Sequence, residues 1–93
     1  MYLAIDTSTT LAGLALIDKG RIITEDTWLC VKNHSVELLP HVSLLLQRAE
    51  CKINDVTGVI TACGPGGFNG LRVGIGTAKG LAFSLGVPIA GIK

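Results

Sequence analysis

Two stretches of this chain carry residue types and spacings that could do chemistry. The first is Gly64-Pro65-Gly66-Gly67-Phe68-Asn69-Gly70-Leu71-Arg72-Val73-Gly74, which follows the apolar run Val59-Ile60-Thr61-Ala62-Cys63 and leads into Thr77-Ala78-Lys79-Gly80-Leu81-Ala82. A strand, a glycine-rich turn and a helix in that order present free backbone N–H groups at a helix N-terminus. That arrangement suits an anion or a closely approaching partner. The glycine loop, Gly64, Pro65, Gly66, Gly67, Phe68, Asn69 and Gly70, is the first candidate site. The second is Asp6, Thr7, Ser8 and Thr9, an acid at a strand end followed by three hydroxyls. Asp6 could hold a metal-bound water and the hydroxyls could wrap a phosphate. Ser8, however, does not admit a phosphate to the backbone as glycine would, so a structural turn with Thr and Ser capping neighbouring backbone is the competing reading.

Other combinations carry less. His34 and His41 are seven residues apart, about 10 Å along a helix, whereas two ligands of one metal on a helix need i, i+3 or i, i+4 spacing. Cys30, Cys51 and Cys63 are odd in number and lack CxxC spacing, which speaks against a disulfide framework and a zinc site. Neither a Ser/His/Asp nor a Cys/His nucleophilic arrangement is supported, so no catalytic residue, metal or cofactor is expected.

The helix after the glycine loop is unusual. Gly70, Gly74 and Ala78 repeat every four residues, and Gly76 with Gly80 makes a second row. Each glycine in a helix interior costs about 1 kcal/mol against alanine, so close approach of something must offset them. Packing on the chain's own sheet is one reading, and a partner helix is the other. Under the second reading the partner surface combines Leu39 and Leu46 of an earlier helix with Arg72, Gly74 and Ala78. Arg72 lies in the first turn, against the helix dipole, and should meet an acid or an anionic ligand.

Composition sets the frame for these sites. Ninety-three residues, 48% hydrophobic and 16% charged, make one small domain with a single core and no tendency to disorder. No apolar run approaches the roughly 20 residues of a membrane span, and the start of the chain lacks a signal-peptide pattern, so a cytoplasmic location is expected. Net charge is +1, yet all seven acids lie in the first 55 residues. A sparsely charged βαβ segment explains this, or a locally positive face around the glycine loop.

The elements that must position the sites follow from periodicity. Residues 2–6 read as a buried strand, 11–17 as a second and 21–31 as a third, with Asp18-Lys19-Gly20 as a hairpin turn. Alternation in the third strand leaves its inner face ambiguous between Ile22, Thr24, Asp26, Trp28 and Ile23, Glu25, Thr27, Leu29. Leu38, Val42, Leu45 and Ala49 then share one side of a helix over about 35–50, with an irregular start near Pro40. Residues 51–55 read as a polar linker, 56–63 as a buried strand, 64–70 as the glycine loop and about 70–85 as a second helix. Gly86 and Pro88 end that helix, and residues 87–92 form the last strand. The order is βββαβαβ, an α/β fold with a mixed five-stranded sheet.

With that order and these motifs, the chain resembles the TsaB/YeaZ (Gcp/YeaZ) family of the actin/sugar-kinase/Hsp70 superfamily, whose lobes are ribonuclease-H-like βββαβαβ units. The matching residues are Ile5-Asp6-Thr7-Ser8-Thr9, His34-Ser35 with Leu38-Leu39-Pro40, Gly64-Pro65-Gly66, Phe68, Gly70-Leu71-Arg72-Val73-Gly74 and Ala78-Lys79-Gly80-Leu81-Ala82. Where the family has Ser-Phe-Thr-Gly after Gly-Pro-Gly, this chain has Gly67-Phe68-Asn69-Gly70, so two hydroxyls are replaced while the backbone donors remain. The resemblance implies a single N-terminal lobe over 1–93, the family's second lobe being absent. It further implies a non-catalytic scaffold in making N6-threonylcarbamoyladenosine in tRNAs that read ANN codons. The implied partners are a TsaD-like catalytic subunit, a TsaE-like ATPase and a second copy of the chain, with tRNA engaged only indirectly and no membrane. Two rival readings stand beside it: a nucleotide-binding lobe of a kinase-like ATPase, and a module that binds tRNA directly through the acid-free segment 56–93.

Overall fold

The computed structural model describes residues 1–7, 11–29, 34–62 and 68–92, with the backbone alone for 34–37 and 68–73. Strands β1 (Tyr2–Asp6), β2 (Leu11–Asp18) and β3 (Arg21–Leu29) are followed by helix α1 (His34–Arg48), strand β4 (Gly58–Ala62), helix α2 (Phe68–Leu85) and strand β5 (Ile89–Ile92). The five strands form one sheet in the order β3-β2-β1-β4-β5. β1 pairs antiparallel with β2 and parallel with β4, and β4 pairs parallel with β5. The expected α/β fold with a mixed five-stranded sheet is therefore present.

The β2–β3 hairpin closes through two residues with positive φ, Lys19 at 52° and Gly20 at 75°, with Asp18 opposite Arg21. Two such residues in succession match the right-handed twist of the flanking strands. Farther along, the pairing slips between Leu16 and Ile17, so Leu16 faces Thr24 while Ile17 faces Ile22. Ile23 is the extra residue of a bulge. The slip settles β3's ambiguous alternation: Thr24, Asp26 and Trp28 are half-buried toward the helices, and Glu25, Thr27 and Leu29 are exposed on the other face.

Both helices pack on one face of the sheet. Leu3, Ile5, Leu14, Leu16 and Val59 from the strands meet Leu38, Val42, Leu45, Leu46, Ala78 and Ala82 from the helices in one core. α1 runs from His34 through Pro40 without a break; Pro40 is exposed, and its missing N–H removes one helical bond.

Each helix ends in a pair of reversed hydrogen bonds around a residue with positive φ. At α2, Gly86 (φ 67°) donates to the Phe83 carbonyl and Val87 to the Ala82 carbonyl, as the glycine in the sequence suggests. At α1 the same geometry is built on Glu50 (φ 55°), with Cys51 donating to the Leu46 carbonyl at 2.9 Å.

Several boundaries differ from expectation. Residues assigned to the polar linker contain a 3₁₀ turn, Ile53–Asp55, in which Asp55 accepts from the Lys52 N–H at 2.8 Å. β4 begins at Gly58 rather than at 56, its expected end at 63 lying outside the described residues, and β5 starts at Ile89. α2 begins at Phe68, so Phe68, Asn69 and Gly70 are helical and not part of a loop. Residues 64–67 of the glycine loop, and 30–31 at the end of the third strand, lie outside the described residues.

Candidate functional site

The candidate phosphate turn begins where β1 ends. Asp6 is the last residue of the strand, opposite Gly13 of β2, and is exposed. Thr7 turns the other way and is buried, with 2% of its surface accessible. It lies against Gly74 of α2, where any Cβ would overlap the Thr7 hydroxyl. The first hydroxyl of the turn therefore packs on the helix. Ser8 and Thr9 lie outside the described residues. Among the described residues no group of three or more His, Cys, Asp and Glu side chains could hold a metal ion.

The Gly74 contact also revises the partner surface. Gly74 and Ala78 face the lobe's own sheet and core, Ala78 being fully buried, and Leu46 is 7% exposed within the same core. A partner helix cannot reach these three residues in the folded lobe. At Gly74 the packing reading holds, because the helix lies close to a strand end there, whereas Gly76 and Gly80 have nothing within 4 Å of where a Cβ would sit. Leu39 differs, standing 50% exposed with Leu44 at 45%. These two, with Pro40, Ser43 and Gln47, make the outer face of α1. Arg72's side chain is outside the described set. On α2 the outer face is Gly76, Lys79, Gly80 and Phe83, and Phe83 is 90% exposed.

A cluster that the sequence reasoning missed joins β3 to α1. His41 Nδ1 lies 2.7 Å from Asp26 Oδ2, and Arg48 is 3.8 Å from the other carboxylate oxygen. The imidazole stacks on Trp28 with ring centroids 3.6 Å apart and planes 1° from parallel. Its signal in the sequence was Asp26 and Trp28 two apart on one strand, presenting an acid and an aromatic ring to the same helix. A carboxylate fixing an imidazole resembles the rear half of a catalytic triad, but no nucleophilic side chain joins it among the described residues. Its evident role is to pin α1 across the sheet.

Comparison with known proteins agrees with this architecture. A family model described as "TsaD: tRNA N6-adenosine threonylcarbamoyltransferase" matches residues 28–93. The tRNA threonylcarbamoyladenosine biosynthesis protein TsaB of Bacillus subtilis is 40% identical over 91 residues, covering 98% of this chain and 40% of that protein. TsaB of Escherichia coli is 36% identical, with 98% and 39% covered. The structure of YeaZ from Pseudomonas aeruginosa superposes with a TM-score of 0.91 at 36% identity, covering 99% of this chain and 43% of that one. RuvC of Thermus thermophilus, at a TM-score of 0.65 and 17% identity, shares the fold alone. The chain spans about two fifths of the length of these TsaB relatives. It belongs to the family that the TsaD model defines, and its relatives there are the proteins named TsaB and YeaZ.

Proposed function

We propose, from that family membership, that this chain serves as a non-catalytic, N-terminal scaffold lobe in tRNA threonylcarbamoyladenosine biosynthesis in the cytoplasm. It binds a TsaD-like catalytic subunit, and a TsaE-like ATPase joins the complex. The observation that carries the reading is the outer face of α1, where Leu39 and Leu44 stand half exposed on a helix whose opposite side is already buried. Exposed apolar side chains on a rigid element are what a partner helix uses as anchors. Arg72 is assigned to the rim of the same interface.

A nucleotide-binding role draws its support from Asp6 at the end of β1. Against it stand Ser8 at the place of a phosphate-turn glycine and the burial of Thr7 beneath α2. Titration calorimetry with ATP and magnesium separates the two readings, since the scaffold reading expects no heat of binding. The direct test of the scaffold reading is co-purification of a TsaD-like protein from the same organism with the wild-type chain and with Leu39→Asp/Leu44→Asp. Capture by the wild type and loss in a variant with unchanged circular dichroism is the expected result.

A further inference from the structure

Helix α1 is held in two unequal parts. Beyond Pro40, Val42, Leu45 and Leu46 are buried in the core; before it, Leu38 is the buried side chain among those described. The two parts meet at a weak point. Pro40 has no N–H to give the carbonyl one turn back, and its ring crowds that turn. Helices of this length take most of their stability from packing, so one leucine gives the first turns little to hold them in line with the rest.

The next residue supplies a second hold. His41 follows Pro40, its Nδ1 2.7 Å from Asp26 Oδ2 and its ring stacked on Trp28. Arg48, seven residues on, lies 3.8 Å from the other oxygen of the same carboxylate. Positions seven apart share one face of a helix, two turns or about 10 Å from each other. One carboxylate therefore meets α1 at two levels, which fixes the roll of the helix as well as its height on β3. The His41 contact is the strong one, since Arg48 is 54% exposed and such a pair is worth little in water. Asp26 itself is 15% exposed and is held in place by its pairing opposite Leu14 of β2.

We propose that Asp26 is a positioning residue for the start of α1. Acting through His41, it keeps the turns before Pro40, and Leu39 with them, in line with the core-buried part of the helix. Without it those turns open as a unit while the remainder stays folded. The consequence for partner capture rests on the reading of α1 given above. Leu39 and Leu44 lie on opposite sides of Pro40 and present one surface only while the helix is continuous.

Native-state hydrogen exchange on the 93-residue chain, followed by NMR at low denaturant concentrations, tests this. In the wild type the amides of Leu38, Leu39 and His41 are expected to exchange through an opening of their own that denaturant does not promote. In Asp26→Ala that route should be at least about tenfold faster, while the amides of Leu45 and Leu46 follow global unfolding in both chains. Asp26→Asn keeps an acceptor for the imidazole N–H and should recover most of the protection. Amides at Leu38, Leu39 and His41 that follow global unfolding, or an Asp26→Asn chain that exchanges like Asp26→Ala, overturn the proposal. Capture of a TsaD-like protein should fall at least about tenfold in Asp26→Ala and return in Asp26→Asn. Capture that Asp26→Ala leaves unchanged, but Leu39→Asp/Leu44→Asp abolishes, also overturns it. Capture that survives Leu39→Asp/Leu44→Asp instead overturns the partner surface and leaves the exchange result standing, so the two failures are distinguishable.

Discussion

Gly74 of α2 lies directly beneath Thr7 of the β1 end, so closely that a Cβ on the glycine would overlap the threonine hydroxyl. This contact sets how near the helix lies to the centre of the sheet. It also explains why glycine is present at that point of the helix despite its cost. Gly74→Leu is expected to destabilise the lobe by about 3 kcal/mol or more, since the obstacle is a buried neighbour. Thermal unfolding of this variant beside Gly76→Ala, where nothing lies near the glycine, gives the check. Gly76→Ala should be stabilising by about 1 kcal/mol.

The left-handed residue closing α1 offers a second measurement. Glu50 adopts φ 55° without being glycine, a conformation that costs an L-residue roughly 1 kcal/mol. Glu50→Gly should therefore raise the unfolding free energy by up to about 1 kcal/mol, whereas Gly86→Ala at the end of α2 should lower it by a similar amount. Denaturant titrations of both variants should move in opposite directions. Equal shifts of the same sign would contradict the shared cap geometry.

Asp26 anchors His41 and Arg48 of α1 from strand β3 while His41 stacks on Trp28. Removing the carboxylate leaves the His41 ring, stacked on Trp28, without its hydrogen-bond partner, and Asp26→Ala is expected to cost about 2 kcal/mol. His41→Ala should cost a similar amount through the lost hydrogen bond and stacking. If the pair acts as a unit, the double variant costs less than the sum of the two. Trp28, the sole tryptophan, reports the change by its fluorescence.

Interface and core are separable on α1. Leu38→Asp buries a charge where the side chain is fully enclosed and should unfold the lobe. Leu39→Asp, one residue on and half exposed, should leave the melting temperature within a few degrees and abolish partner capture. Melting and co-purification on the same preparations read both effects.

How much of this was visible beforehand depended on whether neighbouring residues left alternatives. The β2–β3 hairpin and the end of α2 were legible because Lys19-Gly20 and Gly86 permit conformations that few other residues adopt. The inner face of β3 was not, since Ile22 and Ile23 are both apolar and a bulge between them changes which set of alternate residues turns inward. The end of α1 gave no signal because Glu50 carries a geometry that the sequence advertises through glycine. At the candidate site, the small-residue repeat was visible, but Gly74 and Ala78 have no side chain large enough to declare which surface they meet. The stack of His41 on Trp28 joins residues from two elements whose relative placement only the sheet order defines.

β1 occupies the middle of the sheet although it comes first in the chain, and its parallel neighbour begins only at Gly58. On a ribosome the β1–β2–β3 meander can form from local pairings while β4 has yet to be made. Until β4 arrives, one side of β1 is an open edge of backbone donors and acceptors running through Leu3-Ala4-Ile5, an invitation to pair with another nascent chain. Joining Tyr2 to Gly58 must also close the long loop between them, an entropic toll that falls on one late step. Vulnerability to misassembly is thereby concentrated in time, between the emergence of the meander and the docking of a single five-residue strand.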